Sequence, residues 1–171
     1  MPLLVADRSR LLVVDLQKKL MPAITDADVV LANAARLVTA ATRLDVPVHA
    51  TEQNPAGLAG TVDAISALLP APASPKSSFA ADVEPGPGTV VVAGCEAHVC
   101  VLQSVLALRA AGRDVAVVAD AVGSRSGASR ERALDRMRAH GVDVVTTEMV
   151  LFEWLQTSEN RAFREVQELI K

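Results

Sequence analysis

Aromatic side chains are nearly missing from this chain: three Phe, one Trp and no Tyr in 171 residues. The apolar half of the composition is mostly Ala, Val and Leu. A core of small and branched aliphatics suits a buried parallel sheet with helices on its faces. An excess of either charge is also lacking. The net charge is −3 and no basic cluster interrupts the interspersed acids and bases, so nothing argues electrostatically for nucleic acid. No run reaches the ~18 apolar residues a membrane-spanning helix needs. The opening "MPLLVADRSR" is too short and too soon charged for a signal peptide, which points to the reducing cytoplasm, where structural disulfides are rare. Histidine is scarce, at positions 49, 98 and 140. With two cysteines, that set is too sparse and too scattered for a closed zinc site. Gly-rich phosphate loops are missing too. "GSRSG" (123–127) lacks the spacing of a P-loop and reads as a turn with Ser126 or Ser129 capping the next helix. Neither a metal nor another cofactor is therefore expected.

What is present is an alternation of apolar runs and helical stretches in a chain of single-domain length, 1–171. "RLLVVDLQ" (10–17) reads as a buried strand ending at Asp15. Thr25 and Asp28 resemble a capping box before a helix running to about Leu44, with apolar residues at helical spacing. "VPVHAT" (46–51) is a second strand, with Pro47 tolerated only near its start. Residues 52–88 are irregular: a loop, a short helix at "TVDAISALL" and a Pro-rich connection with one short strand at "KSSFA". Connections this long are often functional. Strands return at 89–94, 114–120 and 142–147, with helices at about 98–111 and 128–140 and two more at the end. Such alternation implies an α/β domain, three layers αβα around a mostly parallel sheet joined by right-handed crossovers. Ligands in such sheets bind at the carboxyl ends of the strands, beside the point where strand order reverses. Asp15, Glu52, Lys76, Cys95, Cys100 and Asp120 meet that positional requirement.

Both cysteines fall in "AGCEAHVC" (93–100). A thiol near a helix start is favoured as thiolate, and the free amides there can receive an oxyanion. Cys100 is equally compatible with a small buried core residue. Asp15 is either a ligand-facing acid or a cap for the following turn. If it faces Cys100 it can act as a base for the thiol. Lys76 is the only lysine between Lys19 and Lys171. It is either solvated or held beside the other two.

Three segments carry a resemblance: "LLVVDLQKKLMPAI" with Asp15, "SPKSSFAA" with Lys76, and "VVVAGCEAHVCVLQSVLALRAAGRDVAVVADAVGSRS" with Cys100. In joint order and spacing the chain resembles the isochorismatase-like cysteine hydrolases, which include nicotinamidases and other small amidases. "AHGVDVVTTEMVLFEWL" looks like that family's closing strand and helix. The resemblance implies a six-stranded sheet of order 3-2-1-4-5-6 and an Asp15–Lys76–Cys100 triad, with Asp15 as base, Cys100 as nucleophile and Lys76 as supporting cation. It also implies a thioester intermediate and a cis peptide bond at Cys95–Glu96. Residues Cys95, Glu96, Ala97 and Cys100 would form the turn and its oxyanion hole, and Gln17, Glu52, Gln53 and Phe79 would line the substrate pocket. Two departures stand out. Ala97 replaces the turn's usual Thr, and "TEQNPAGLAGTV" (51–62) has no histidine where nicotinamidases hold a metal.

The resulting expectation is a metal-independent hydrolase of a small amide or related acyl substrate, with no nucleic-acid or membrane partner. The alternatives are a non-catalytic scaffold of the same fold and a thiol redox sensor using Cys95 and Cys100. Self-association is expected of this family. "EMVLFEWL" offers Met149, Leu151, Phe152 and Trp154 either to a homo-oligomer interface or to the core.

Overall fold

Two runs of branched aliphatics make the centre of the sheet, β1 (Ser9–Val14) and β4 (Thr89–Cys95). They pair in parallel from Ser9–Thr89 to Val14–Gly94. Their side chains are buried on both sheet faces, as near-continuous apolar strands require. The computed structural model describes residues 3–82 and 87–171; residues 1–2 and 83–86, the latter within the Pro-rich connection, lie outside the described residues.

In chain order, β1 is followed by α1 (Ala27–Arg43), β2 (Val48–Gln53), the short helices α2 (Pro55–Leu58) and α3 (Asp63–Ser66), β3 (Ser74–Lys76) and β4. Then come a wide π-type turn (Ala97–Val101), α4 (Leu102–Ala110), β5 (Asp114–Gly123), α5 (Gly127–Ala139), β6 (Asp143–Val145), α6 (Thr147–Leu155) and α7 (Phe163–Glu168). All six strands are parallel, in the order β3-β2-β1-β4-β5-β6. Strand order therefore reverses between β1 and β4. Leu11, Val13, Val91, Ala93 and Cys95 face one apolar layer, with α1 and α6. Leu12, Val14, Val90 and Val92 face the other, with Cys100, α4 and α5. No helix among the described residues is long and apolar enough to cross a membrane.

The reversal point demands a glycine. Gly94 has φ +119, and a Cβ there would stand 2.0 Å from the Val14 carbonyl oxygen. The ends of β1 and β4, which launch Asp15 and the cysteine turn, meet backbone to backbone.

Several local readings need correction. Thr25 does not cap α1: its hydroxyl donates to the Arg125 carbonyl, and the helix starts after Asp26, which has a left-handed backbone and no side-chain cap bond. The short third strand ends at Lys76 instead of beginning there. Pro75 is tolerated because β3 is the sheet's edge, and the residues after Lys76 turn back toward its side chain. Asp120 lies within β5 and is structural, accepting from the amide and hydroxyl of Thr147 at the start of α6. Ser126 does cap α5, accepting from the Ser129 amide. In α6, Leu151 and Trp154 are core, while Met149 and Phe152 are exposed.

Candidate active site

Asp15 follows β1 with φ 51, a left-handed conformation that short polar side chains adopt more readily than most. Its backbone amide donates to the Thr51 carbonyl at 3.1 Å. The side chain is fully buried, yet both oxygens are engaged. Oδ1 accepts from the Thr51 hydroxyl at 2.7 Å, and Oδ2 accepts from Lys76 Nζ at 2.8 Å. The Lys76 side chain is 8% exposed. Its ammonium also donates to Gln53 Oε1 at 2.7 Å and to the carbonyls of Phe79 at 3.1 Å and Ser78 at 3.3 Å. Removing either partner of such a pair would strand a buried charge.

Cys100 sits in the π-type turn after β4, beside this ion pair. The Cys95–Glu96 peptide bond is cis. The Glu96 carbonyl accepts from the amides of Val99 and Val101. Burial pushes the Cys100 thiol up to about 12. The Asp15 carboxylate adds to this by its charge and by taking the thiol's hydrogen bond, while the Lys76 ammonium pulls the other way. The direction of this shift runs against a resting thiolate. The nearest counter-charge is already neutralised by a carboxylate, and the sulfur rests as a thiol with an acceptor at hand.

Sequence reasoning placed Asp15, Lys76 and Cys100 near the strand ends, and the fold brings them into one cluster. Gln53 joins it through Lys76. Phe79 joins through its carbonyl, with its ring about half exposed. Gln17 and Glu52 do not join. Gln17 is buried and spends its amide on backbone, donating to the carbonyls of Gln53 and Ala59 and accepting from the Gln53 amide. Glu52 accepts from the amide and hydroxyl of Thr61. Both polar groups tie down the 54–62 loop. Glu96 turns its carboxylate to the backbone and side chain of Arg125. Ala97 is buried in the apolar layer, so its methyl packs where a hydroxyl would need a partner. Cys95 belongs to the opposite layer from Cys100. Burial pushes its thiol to about 12 as well. That placement argues against the two thiols working as a redox pair.

Two residues escaped the sequence reading. Thr51 orients Asp15, and its only signal is a position two residues before Gln53 on β2. Ser104, one helical turn after Cys100, donates to the Cys100 carbonyl at 2.6 Å and accepts from the Ala81 amide at 2.8 Å. It thereby ties the segment that wraps Lys76 to the helix that carries the thiol. Beside the lysine opens a cavity of about 520 Å³, lined by Gln53, Asn54, Pro55, Pro75, Lys76 and Ser77. Among the described residues no group of three or more His, Cys, Asp or Glu is placed to hold a metal ion. What the cluster can do is move a proton from sulfur to carboxylate next to a fixed positive charge.

Comparison with known proteins adds to this geometry. The pattern of the isochorismatase domain matches residues 80–149. Isochorismatase domain-containing protein 2 of Danio rerio is 38% identical over 171 residues, covering 95% of this chain and 86% of that protein. Isochorismatase domain-containing protein 1 of Salmo salar is 37% identical over 166 residues, covering 92% of this chain; the chain spans 59% of that relative's length. Among solved structures, one described as the MAR1 ribonuclease of Caenorhabditis elegans superposes with TM-score 0.95 and 34% identity, covering 99% of this chain and 92% of that one. The YcaC gene product of Escherichia coli, described as an octameric hydrolase of unknown specificity, superposes with TM-score 0.83 and 23% identity, covering 99% and 95%. At that identity the second likeness concerns the fold.

Proposed function

We propose that this chain, which belongs to the isochorismatase family, is a cysteine hydrolase of small amides or related acyl compounds, working through Asp15, Lys76 and Cys100. The observation that carries the reading is the buried Lys76–Asp15 ion pair placed against the Cys100 thiol. Sulfur attacks the substrate carbonyl carbon as Asp15 takes the thiol proton. The oxygen gains the negative charge, with the Cys100 and Glu96 amides as its proposed donors. The C–N bond then breaks. The amine leaves with the proton from Asp15, and the acyl group stays on sulfur as a thioester. Water, deprotonated by Asp15, attacks the thioester and releases the acid and the thiol. Lys76 keeps its charge throughout and offsets the negative charge that passes between sulfur, carboxylate and oxyanion.

The reading takes the chain as one domain acting on a small molecule, in the cytoplasm, where a free thiol survives. It also takes the chain to self-associate, a reading supported by the exposed apolar residues Leu3, Met149 and Phe152. A panel of amides, esters and single-stranded RNA tests the function, with Cys100→Ala as control. Turnover of an acyl compound, lost in Cys100→Ala with circular dichroism unchanged, supports it. RNA cleavage that survives Cys100→Ala, with no acyl turnover, would overturn it.

A further inference from the structure

A second cavity lies at the other end of the same strands. It holds about 430 Å³, and its walls include Arg10, Leu12, Pro47, His49, Ser74 and Val90. The sheet register explains why these side chains converge. Arg10 pairs with Val90, Leu12 with His49, and Ser74 with Thr51 two residues beyond His49. Paired residues, and alternate residues along a strand, share one sheet face. Three polar side chains from three adjacent strands therefore stand over a dry floor, with Leu12 1% and Val90 0% exposed.

The chemistry of this lining is one-sided. Arg10 brings a guanidinium fork, Ser74 a hydroxyl donor and His49 an imidazole, and the described lining contains no carboxylate. This donor set sits in a chain of net charge −3, so the charge here runs against the background. A half-buried guanidinium over an apolar floor holds an oxyanion more firmly than one in open water. The volume is that of a small-molecule pocket. Pro47, which is exposed, offers contact to the part of a ligand that carries no charge.

We propose that this cavity binds a small organic anion, its phosphate or carboxylate oxygens on Arg10, Ser74 and His49 and its apolar body against Pro47. The site is separate from the thiol cluster. None of Asp15, Thr51, Gln53, Lys76 and Cys100 lines it, although Ser74 pairs with Thr51, so its upper edge lies one strand position below the Asp15–Lys76 pair. The proposal stands whether or not the hydrolase reading holds, and its test uses no turnover.

The probe is the imidazole resonance of His49, one of three histidines, assigned by its loss in His49→Gln and followed by NMR at fixed pH. The titrants are phenyl phosphate, benzoate, inorganic phosphate and neutral benzyl alcohol. The expected result is a saturable shift with phenyl phosphate or benzoate, and the tighter of the two identifies the anion. Inorganic phosphate binds at least about tenfold more weakly for want of an apolar body, and benzyl alcohol does not saturate. Arg10→Gln weakens binding at least about tenfold, Ser74→Ala weakens it several-fold, and Cys100→Ala binds like the parent. If Arg10→Gln is unfolded by circular dichroism, Arg10→Lys and Ser74→Ala carry the test, each with weakened binding expected. A shift that never saturates in the parent, equal binding of benzyl alcohol, or binding untouched by substitution of Arg10 and Ser74 would overturn the proposal.

Discussion

Replacing Asp15 by Asn is expected to make Cys100 easier to alkylate and the enzyme slower, two effects that a thiolate resting state would not separate. The thiol sits at about 12, held there first by burial and then by the Asp15 charge and hydrogen bond. At pH 8 that leaves ~1 thiolate in 10⁴. A neighbouring like charge is worth ~1–3 in pKa. Taking ~2, the Asn variant holds ~100 times more thiolate at the same pH, helped by the Lys76 ammonium that remains. A less basic thiolate is also less nucleophilic, and a Brønsted slope of ~0.4–0.5 takes back about tenfold. Alkylation by iodoacetamide should therefore quicken about tenfold. Turnover should fall ~10²–10⁴-fold, because the proton acceptor is gone. The assay is intact-mass labelling across pH 7–9 alongside hydrolysis of the best substrate. In the parent, the labelling rate should rise tenfold per pH unit without levelling. Lys76→Met should slow labelling, since the cation that lowers the thiol pKa is lost. A parent rate that plateaus below pH 9, or an Asn variant in which labelling and turnover fall together, would refute the account.

Thr51→Val should leave Asp15 Oδ1 buried without its 2.7 Å donor, costing ~1.5–3 kcal/mol, read by urea denaturation; Thr51→Ser should restore both stability and turnover. Gly94→Ala should lose ~4 kcal/mol or more, since its Cβ would stand 2.0 Å from the Val14 oxygen; a variant as stable as the parent would contradict the described close approach. Alkaline pH should destabilise the protein through its buried thiols. An unfolded Cys ionises near its ordinary 9.0 and native Cys95 at about 12, so between those values the unfolded chain holds fewer protons and stability falls as pH rises, by ~1.4 kcal/mol per pH unit per thiol. Below pH 9 no such loss is expected. Cys95→Ala should make the decline between pH 9 and 12 shallower, and an unchanged slope would refute the assignment.

The centre of the sheet was legible because β1 and β4 are buried on both faces and read as plain apolar runs. The alternation implied a parallel sheet with ligands at its carboxyl ends; the strand order that sets Asp15 beside Cys100 came from the family resemblance. The edges were harder. β3 is three residues long, too short for an alternating pattern to show, and it is placed by its parallel pairing with β2. Glu52 met the strand-end requirement and Gln17 entered the pocket set through the family resemblance; here both hold the 54–62 loop. Thr51 stayed hidden because a hydroxyl inside a strand carries no local sign of the carboxylate opposite. The upward shift of the thiol was not legible for a related reason. Helix-start and ammonium effects can be read along the chain, but burial and the facing carboxylate exist only once the chain is folded.

The most direct test of the central claim is a rapid-quench peptide map after mixing the protein with p-nitrophenyl acetate. An acetyl group carried on Cys100 alone, formed in the parent, formed at least as fast in Asp15→Asn but slower to leave there for want of a base for water, is the predicted result. Acetylation that is absent, or that falls on surface lysines while Cys100 stays unmodified, would contradict it.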